Sequence, residues 1–200
     1  MIPENYAALV EQQTTSGKFI PFDLEPAVRY PDVFIHPLAV MDDTCTIGAG
    51  TRIWSGALVR NGTRLGANVS VGVNCALEGC TVGDDTHLNP NAHIPGAVVI
   101  GARCFIGTGV CFLNDAWPSV NRDAFGGWKP YEGWTCIAVG DDTAVGSAAV
   151  IMAGVTIGAR CMIAAQACVT ENIPDDCLYT RENKIKTINP AHIQRMRVAT

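Results

Sequence analysis

The sequence predicts an all-β chain coiled into a parallel β-helix of six-residue repeats, on three observations. A large apolar residue recurs at every sixth position: Ile35, Met41, Ile47, Ile53, Val59, Leu65, Val71 and Leu77, then Val82, Leu88, Ile94, Ile100, Ile106 and Phe112, then Val139, Val145, Ile151, Ile157, Ile163 and Val169. The residue four places on is small, as at Cys45, Thr51, Ala57, Thr63, Cys75, Thr81, Thr86, Cys104, Thr143 and Cys161. Glycine follows many of the apolar positions, as in Ile47-Gly48, Leu65-Gly66, Val82-Gly83, Ile106-Gly107 and Ile157-Gly158. A period of six fits neither an α-helix nor a simple alternating strand over this length. It fits a coil in which each hexad is one short strand and one corner. The large and small residues then point inward, and Gly or Asn serves corners that need a positive φ.

Residues 1–34 precede the repeat. Asn5 to Gln13 reads as a short helix capped by Asn5, and Pro21, Pro26 and Pro31 punctuate an extended approach to the first coil. This segment is expected to cover one end of the β-helix, where strand edges are otherwise open. The repeat occupies 35–174 and breaks phase twice. Leu77 to Thr81 is one residue short of a hexad and must tighten a corner. From about 113 to 135 the stretch NDAWPSVNRDAFGGWKPYEGW has no repeat phase at all. A long excursion from a regular scaffold is usually a functional loop. In the tail, 175–200, Asn189-Pro190 reads as the N-cap and first residue of a short helix through about Val198.

A formal net charge of -5 argues against non-specific binding to nucleic acid. The start, MIPENYAALVEQQ, has neither the basic region nor the apolar core of a signal peptide. No stretch approaches the roughly 18 apolar residues of a membrane span. With no nucleotide-binding domain read ahead of the repeat, a bifunctional nucleotidyltransferase is not expected. Of the nine cysteines, Cys45, Cys75, Cys104 and Cys161 occupy the small inward slot, where a thiol is a compact apolar filler. With no C-x-x-C pair and no zinc-type spacing, the cysteines read as reduced and structural. That agrees with a cytoplasmic location and with no metal. Flat, sparsely charged faces favour side-by-side association into a closed homo-oligomer.

The C-terminal stretch AVGDDTAVGSAAVIMAGVTIGARCMIAAQACVTENIPDD resembles the acyl-CoA end of the hexapeptide-repeat acyltransferases, above all in VIMAGVTIG and AQACVTENIP. TRIW at 51–54, HLNPNAHIPGAVVIGARCFIGTG, and FLNDAWP at 112–118 are similar to the branch that N-acetylates nucleotide-linked amino sugars. The resemblance covers about 45–180. It implies a left-handed β-helix, a homotrimer, and an acetyl-CoA site between neighbouring subunits. Two departures stand out. A Gly-Asn-Pro-Ala-Arg/Lys turn commonly follows the last coil in that family, whereas here Tyr179-Thr180-Arg181-Glu182-Asn183-Lys184 stands. Related enzymes carry a Glu-His-Asp base motif where this chain has Glu78-Gly79.

Acetyl transfer from a thioester to an amine needs a neutral amine, donors for the oxyanion and a thiolate able to leave. A base is therefore sought among four histidines. His36, at the first coil, and His192, in the tail, read as non-catalytic. His87 and His93 close their hexads at outward-facing corner positions on successive faces, so only one is expected to face a given cleft. The resemblance adds Asn91, in the position of an Asn-Asn pair lining the amine site, and Asn114 and Asp115, near the acceptor sugar. Asp115 would orient the amine or take its proton. Trp117, Arg122 and Trp128 in the insertion are the substrate-binding candidates, with the tryptophans stacking on a uracil or thymine base. Family geometry places the pantetheine arm of acetyl-CoA along backbone donors at Gly146, Ser147, Ala164 and Ala165, with Arg160 or Lys184 at a phosphate. The competing readings are a hydroxyl acceptor, a γ-class carbonic anhydrase-like metal enzyme built on His87 and His93, and a non-catalytic trimeric scaffold.

Overall fold

In a computed structural model of the chain, residues 30, 32–116 and 135–188 are described. Two, occasionally three, residues of each hexad form a strand and the rest a corner, so three hexads close one coil. Strands stack 18 residues apart, as at Phe34↔Arg52 and Arg52↔Ser70. The result is a left-handed parallel β-helix of about seven turns. Its three flat faces are sheets of nine, seven and six strands. The first face carries His87–Leu88, the second His93–Ile94 and the third Val98–Ile100. The short helices expected at 5–13 and 189–198, and the insertion from 117 to 134, lie outside the described residues.

The second residue of nearly every strand points inward. Ile53, Val59, Val71, Leu77, Ile94, Ile106 and Phe112 are completely buried, and the small residues between strands fill the same axial core. All nine cysteines are free thiols and six are buried. Burial pushes the Cys45 thiol up to about 11 and Cys80 to about 12, so both stay protonated and act as filler.

Three departures from the hexad reading have physical causes. At the short step, Cys80 rather than Thr81 fills the inward slot. Gly79, at φ 77°, makes the tighter corner, and its N–H donates to Arg60 O (3.0 Å) and Thr63 Oγ1 (2.9 Å). Thr81 becomes the outward residue of the next strand, and the stacking register drops to 17 residues at Ser70↔His87. Second, His87 and His93 are not corner residues: each is the exposed first residue of a strand. The corners fall two and three residues after the buried one, where Asn68, Asn74, Asn91, Arg103 and Gln166 adopt φ near 60°. Third, stacking continues beyond Val169. Ile173 bridges Ile157, and the strand Cys177–Tyr179 pairs with Met162–Ile163. Tyr179 is completely buried, its hydroxyl donating to Cys168 O at 3.3 Å. The antiparallel strand Ile185–Thr187 then covers that edge.

The corner between the third and first faces alternates from coil to coil: Gly83-Asp84-Asp85-Thr86, Gly101-Ala102-Arg103-Cys104, Gly140-Asp141-Asp142-Thr143, Gly158-Ala159-Arg160-Cys161. Asp141 Oδ1 accepts the N–H of Ala102 at 3.0 Å, and Asp175 Oδ1 that of Ala159 at 3.0 Å. Inside, Thr143 Oγ1 donates to Gly158 O (2.9 Å) and accepts from Cys161 N (3.1 Å), repeating Thr86 with Gly101 and Cys104. Each threonine thereby joins two coils while leaving no buried polar atom unpaired.

Candidate functional site

The second face presents a strip of small and apolar side chains, Leu58, Ala76, His93, Cys111, Val150 and Cys168, along its stacked strands. His93 is the titratable base on that strip. It is exposed, and its Nδ1 lies 3.9 Å from the sulfur of Cys111 on the next coil. Burial pushes the Cys111 thiol up, so it remains neutral and adds no charge beside the ring. No described residue bonds to Nε2, which leaves that nitrogen for a ligand. His87 sits between Ser70 and Phe105 on the first face. Within one chain the two histidines therefore look onto different surfaces. His36 is structural: its Nδ1 accepts the N–H of Leu38 at 3.1 Å.

The corner between the first and second faces borders His93 on one side. Asn91 is there, exposed, at φ 61°, with its N–H on Val73 O at 2.9 Å. Over its neighbour Pro90 stack Thr108, Ser147 and Ala165. Ala148 and Gln166 spend their N–H groups between coils, on Thr108 O (2.8 Å) and Ser147 O (2.9 Å). The exposed Ser147 and Ala165 N–H groups donate to no described residue. At the equivalent position of the Asp/Ala-Arg corner that N–H is capped by an aspartate. Two open donors on successive coils, roughly 4.8 Å apart, suit the amides of an extended ligand. Gly146 keeps this stack close: a Cβ there would collide with Ala165 N and stand 2.8 Å from Ile163 O.

Lys184 lies in the turn after the strand Cys177–Tyr179, which stacks on the strand leading into Ala164. Ala164 N donates to Tyr179 O, and the turn Thr180–Lys184 that follows is closed by Thr180 N on Lys184 O at 3.0 Å. Arg160 does not belong beside the open donors. It lies on the Asp/Ala-Arg corner, with its guanidinium on Asp176 at 2.6 and 2.8 Å and Asp175 at 3.2 Å. The paired aspartates were the signal that sequence reasoning passed over.

The corner between the second and third faces borders His93 on the other side, and here the insertion leaves and returns. Stacking jumps from 18 residues at His87↔Phe105 to 39 at Phe105↔Ala144, so 21 residues are looped out. Asn114 Nδ2 donates to Gly96 O at 3.1 Å, and Cys136 N to Ala97 O at 2.7 Å, fixing both ends of the loop on the coil below. Asp115 is exposed just beyond Asn114. The structure thus gathers Asn91, His93, Asn114 and Asp115 around one face, between an open donor column and the root of the insertion. Trp117, Arg122 and Trp128 lie outside the described residues.

Two segments match known families, one on either side of the insertion. Residues 79–114 match the bacterial transferase hexapeptide (six repeats) and residues 136–171 the hexapeptide repeat of succinyl-transferase. The bifunctional protein GlmU of Nostoc sp. is 34% identical over 168 residues, 74% of this chain and 37% of that protein. The chain thus spans little more than a third of this relative. Among solved structures, LpxA from Bacteroides fragilis, a UDP-N-acetylglucosamine acyltransferase, superposes with a TM-score of 0.65 at 16% identity, over 82% of this chain and 64% of that one. A hexapeptide transferase family protein from Anaplasma phagocytophilum gives 0.53 at 18% identity, over 84% and 90%.

Proposed function

The chain belongs to the hexapeptide-repeat acyltransferase family, and from that premise we propose that it moves an acetyl group from acetyl-CoA to an amine of a nucleotide-linked amino sugar. The observation that carries this reading is the placement of His93 between the open Ser147 and Ala165 donors and the root of the insertion. Pantetheine amides would accept from those two N–H groups, with Lys184 toward the phosphates. Asn114 and Asp115, with the insertion's Trp117, Arg122 and Trp128, would hold the sugar and its nucleotide. The thioester carbon would then meet the amine over His93.

In the transfer, the neutral amine adds to the thioester carbonyl and the C–S bond breaks. Nε2 of His93 takes the proton from the nitrogen and returns it to the departing thiolate, giving the amide and free coenzyme thiol. A neutral neighbour at Nδ1 suits this role, because the ring must gain and lose one proton per cycle. Asn91 and Asp115 would orient the acceptor.

A hydroxyl acceptor would use the same base. The carbonic anhydrase-like alternative is disfavoured within one chain, because His87 and His93 face apart. A homotrimer with the donor column at a subunit boundary, working in the cytoplasm where free thiols persist, completes the proposal.

Gly146→Ala tests the donor column. Forcing a methyl group into backbone contact is expected to cost about 1–3 kcal/mol of stability and to weaken acetyl-CoA by at least about tenfold, since a lost pair of amide contacts is worth that much. Calorimetric titration of the folded variant checks it. Unchanged affinity would place the coenzyme elsewhere.

A further inference from the structure

We propose that His93 and Cys111 together bind one soft divalent cation, with zinc as the probe, and that occupancy disables the base. The two residues are directly paired on neighbouring parallel strands and project from the same face. Their Nδ1 and Sγ atoms are 3.9 Å apart. Tetrahedral zinc, with Zn–N of about 2.0–2.1 Å and Zn–S of about 2.3 Å, would set them about 3.5 Å apart. A small side-chain rotation closes that difference.

The donor set selects the ion. Imidazole nitrogen and thiolate sulfur suit zinc and its softer relatives, whereas magnesium and calcium need oxygen ligands. The outward side chains flanking the pair along the strip, Ala76 and Val150, supply no carboxylate. Among the described residues no third His, Cys, Asp or Glu joins the pair, so the remaining positions on the ion would fall to water.

The chemistry balances simply. Zinc displaces the thiol proton to solvent and forms Zn–S and Zn–N bonds, with no change of oxidation state. Because metal and proton compete for the sulfur, binding strengthens as pH rises. Metal on Nδ1 leaves the ring's remaining proton on Nε2, which then has no lone pair to offer an amine. This last step rests on His93 being the base, whereas binding itself does not.

The experiment uses the metal-stripped protein, titrated calorimetrically with zinc and spectroscopically with cobalt, whose thiolate charge-transfer band reports the Cys111 bond. Wild type and Cys168→Ser, which removes an exposed thiol further along the same face, are expected to bind one ion per chain. Cys111→Ser and His93→Ala are expected to bind at least about tenfold more weakly, as for the loss of a ligand. No binding by wild type, or equal binding by Cys111→Ser, overturns the site. Either result leaves the assignment of His93 as base standing. If zinc binds at the pair yet leaves the wild-type transfer rate unchanged, the disabling step is wrong and Nε2 is not the base.

Discussion

Replacing His93 with alanine is expected to lower kcat/KM for acetyl transfer by about 10²–10⁴-fold, the usual contribution of a positioned general base. Acetyl-CoA affinity should stay unchanged, because the donors assigned to the coenzyme are backbone N–H groups at Ser147 and Ala165, on the bordering corner two and three coils further along. The split matters: a purely structural histidine would change stability or both affinities together. His87→Ala, on the first face, should leave kcat/KM as it was. A His93→Ala enzyme with wild-type kcat/KM would remove the side-chain base from the mechanism and leave proton removal to water or the thiolate.

Phe112→Ala is expected to destabilise the chain by about 3–5 kcal/mol, as for other fully buried phenylalanines. Phe112 is completely buried and is the aromatic residue among the six-period inward positions. It lies opposite Ile151 at the level where the insertion leaves the coil. Its neighbour Cys111 faces outward beside His93, so collapse around the cavity would also disturb the candidate site. Because each coil contacts only its neighbours, a lost layer would uncouple the two ends of the β-helix. Urea unfolding is the check: the midpoint should fall, and a reduced slope would show that the halves now unfold separately. A loss below about 1 kcal/mol would mean that the core here repacks freely.

Most of the fold could be read from the sequence because the six-residue period is imposed by inward geometry, and apolar residues report inwardness directly. The period fails where the chain changes corner length. Nothing about Leu77-Glu78-Gly79-Cys80-Thr81 states whether Cys80 or Thr81 will turn in; the 17-residue register decides it. After Val169 the step to Ile173 is shorter still, and an aromatic Tyr179 replaces the aliphatic series, so the last coil escaped the count. The histidines were assigned to successive faces correctly but to corners wrongly, because the residue before an inward one belongs to the strand rather than to the turn. The site was less legible. His93 gains significance from Cys111, eighteen residues away in sequence and adjacent in space, a relation that only the coil register reveals. Arg160 looked like a phosphate ligand because its aspartate partners belong to the following coil.

The most direct measurement is release of free coenzyme thiol when the purified protein meets acetyl-CoA and a panel of UDP- and dTDP-linked amino sugars, with mass analysis of the product. The account predicts thiol release that depends on the acceptor's amine, one N-linked acetyl group per turnover, and no release with the corresponding hydroxyl sugars. Acetylation of a hydroxyl sugar alone, or failure to bind acetyl-CoA at all, would contradict it.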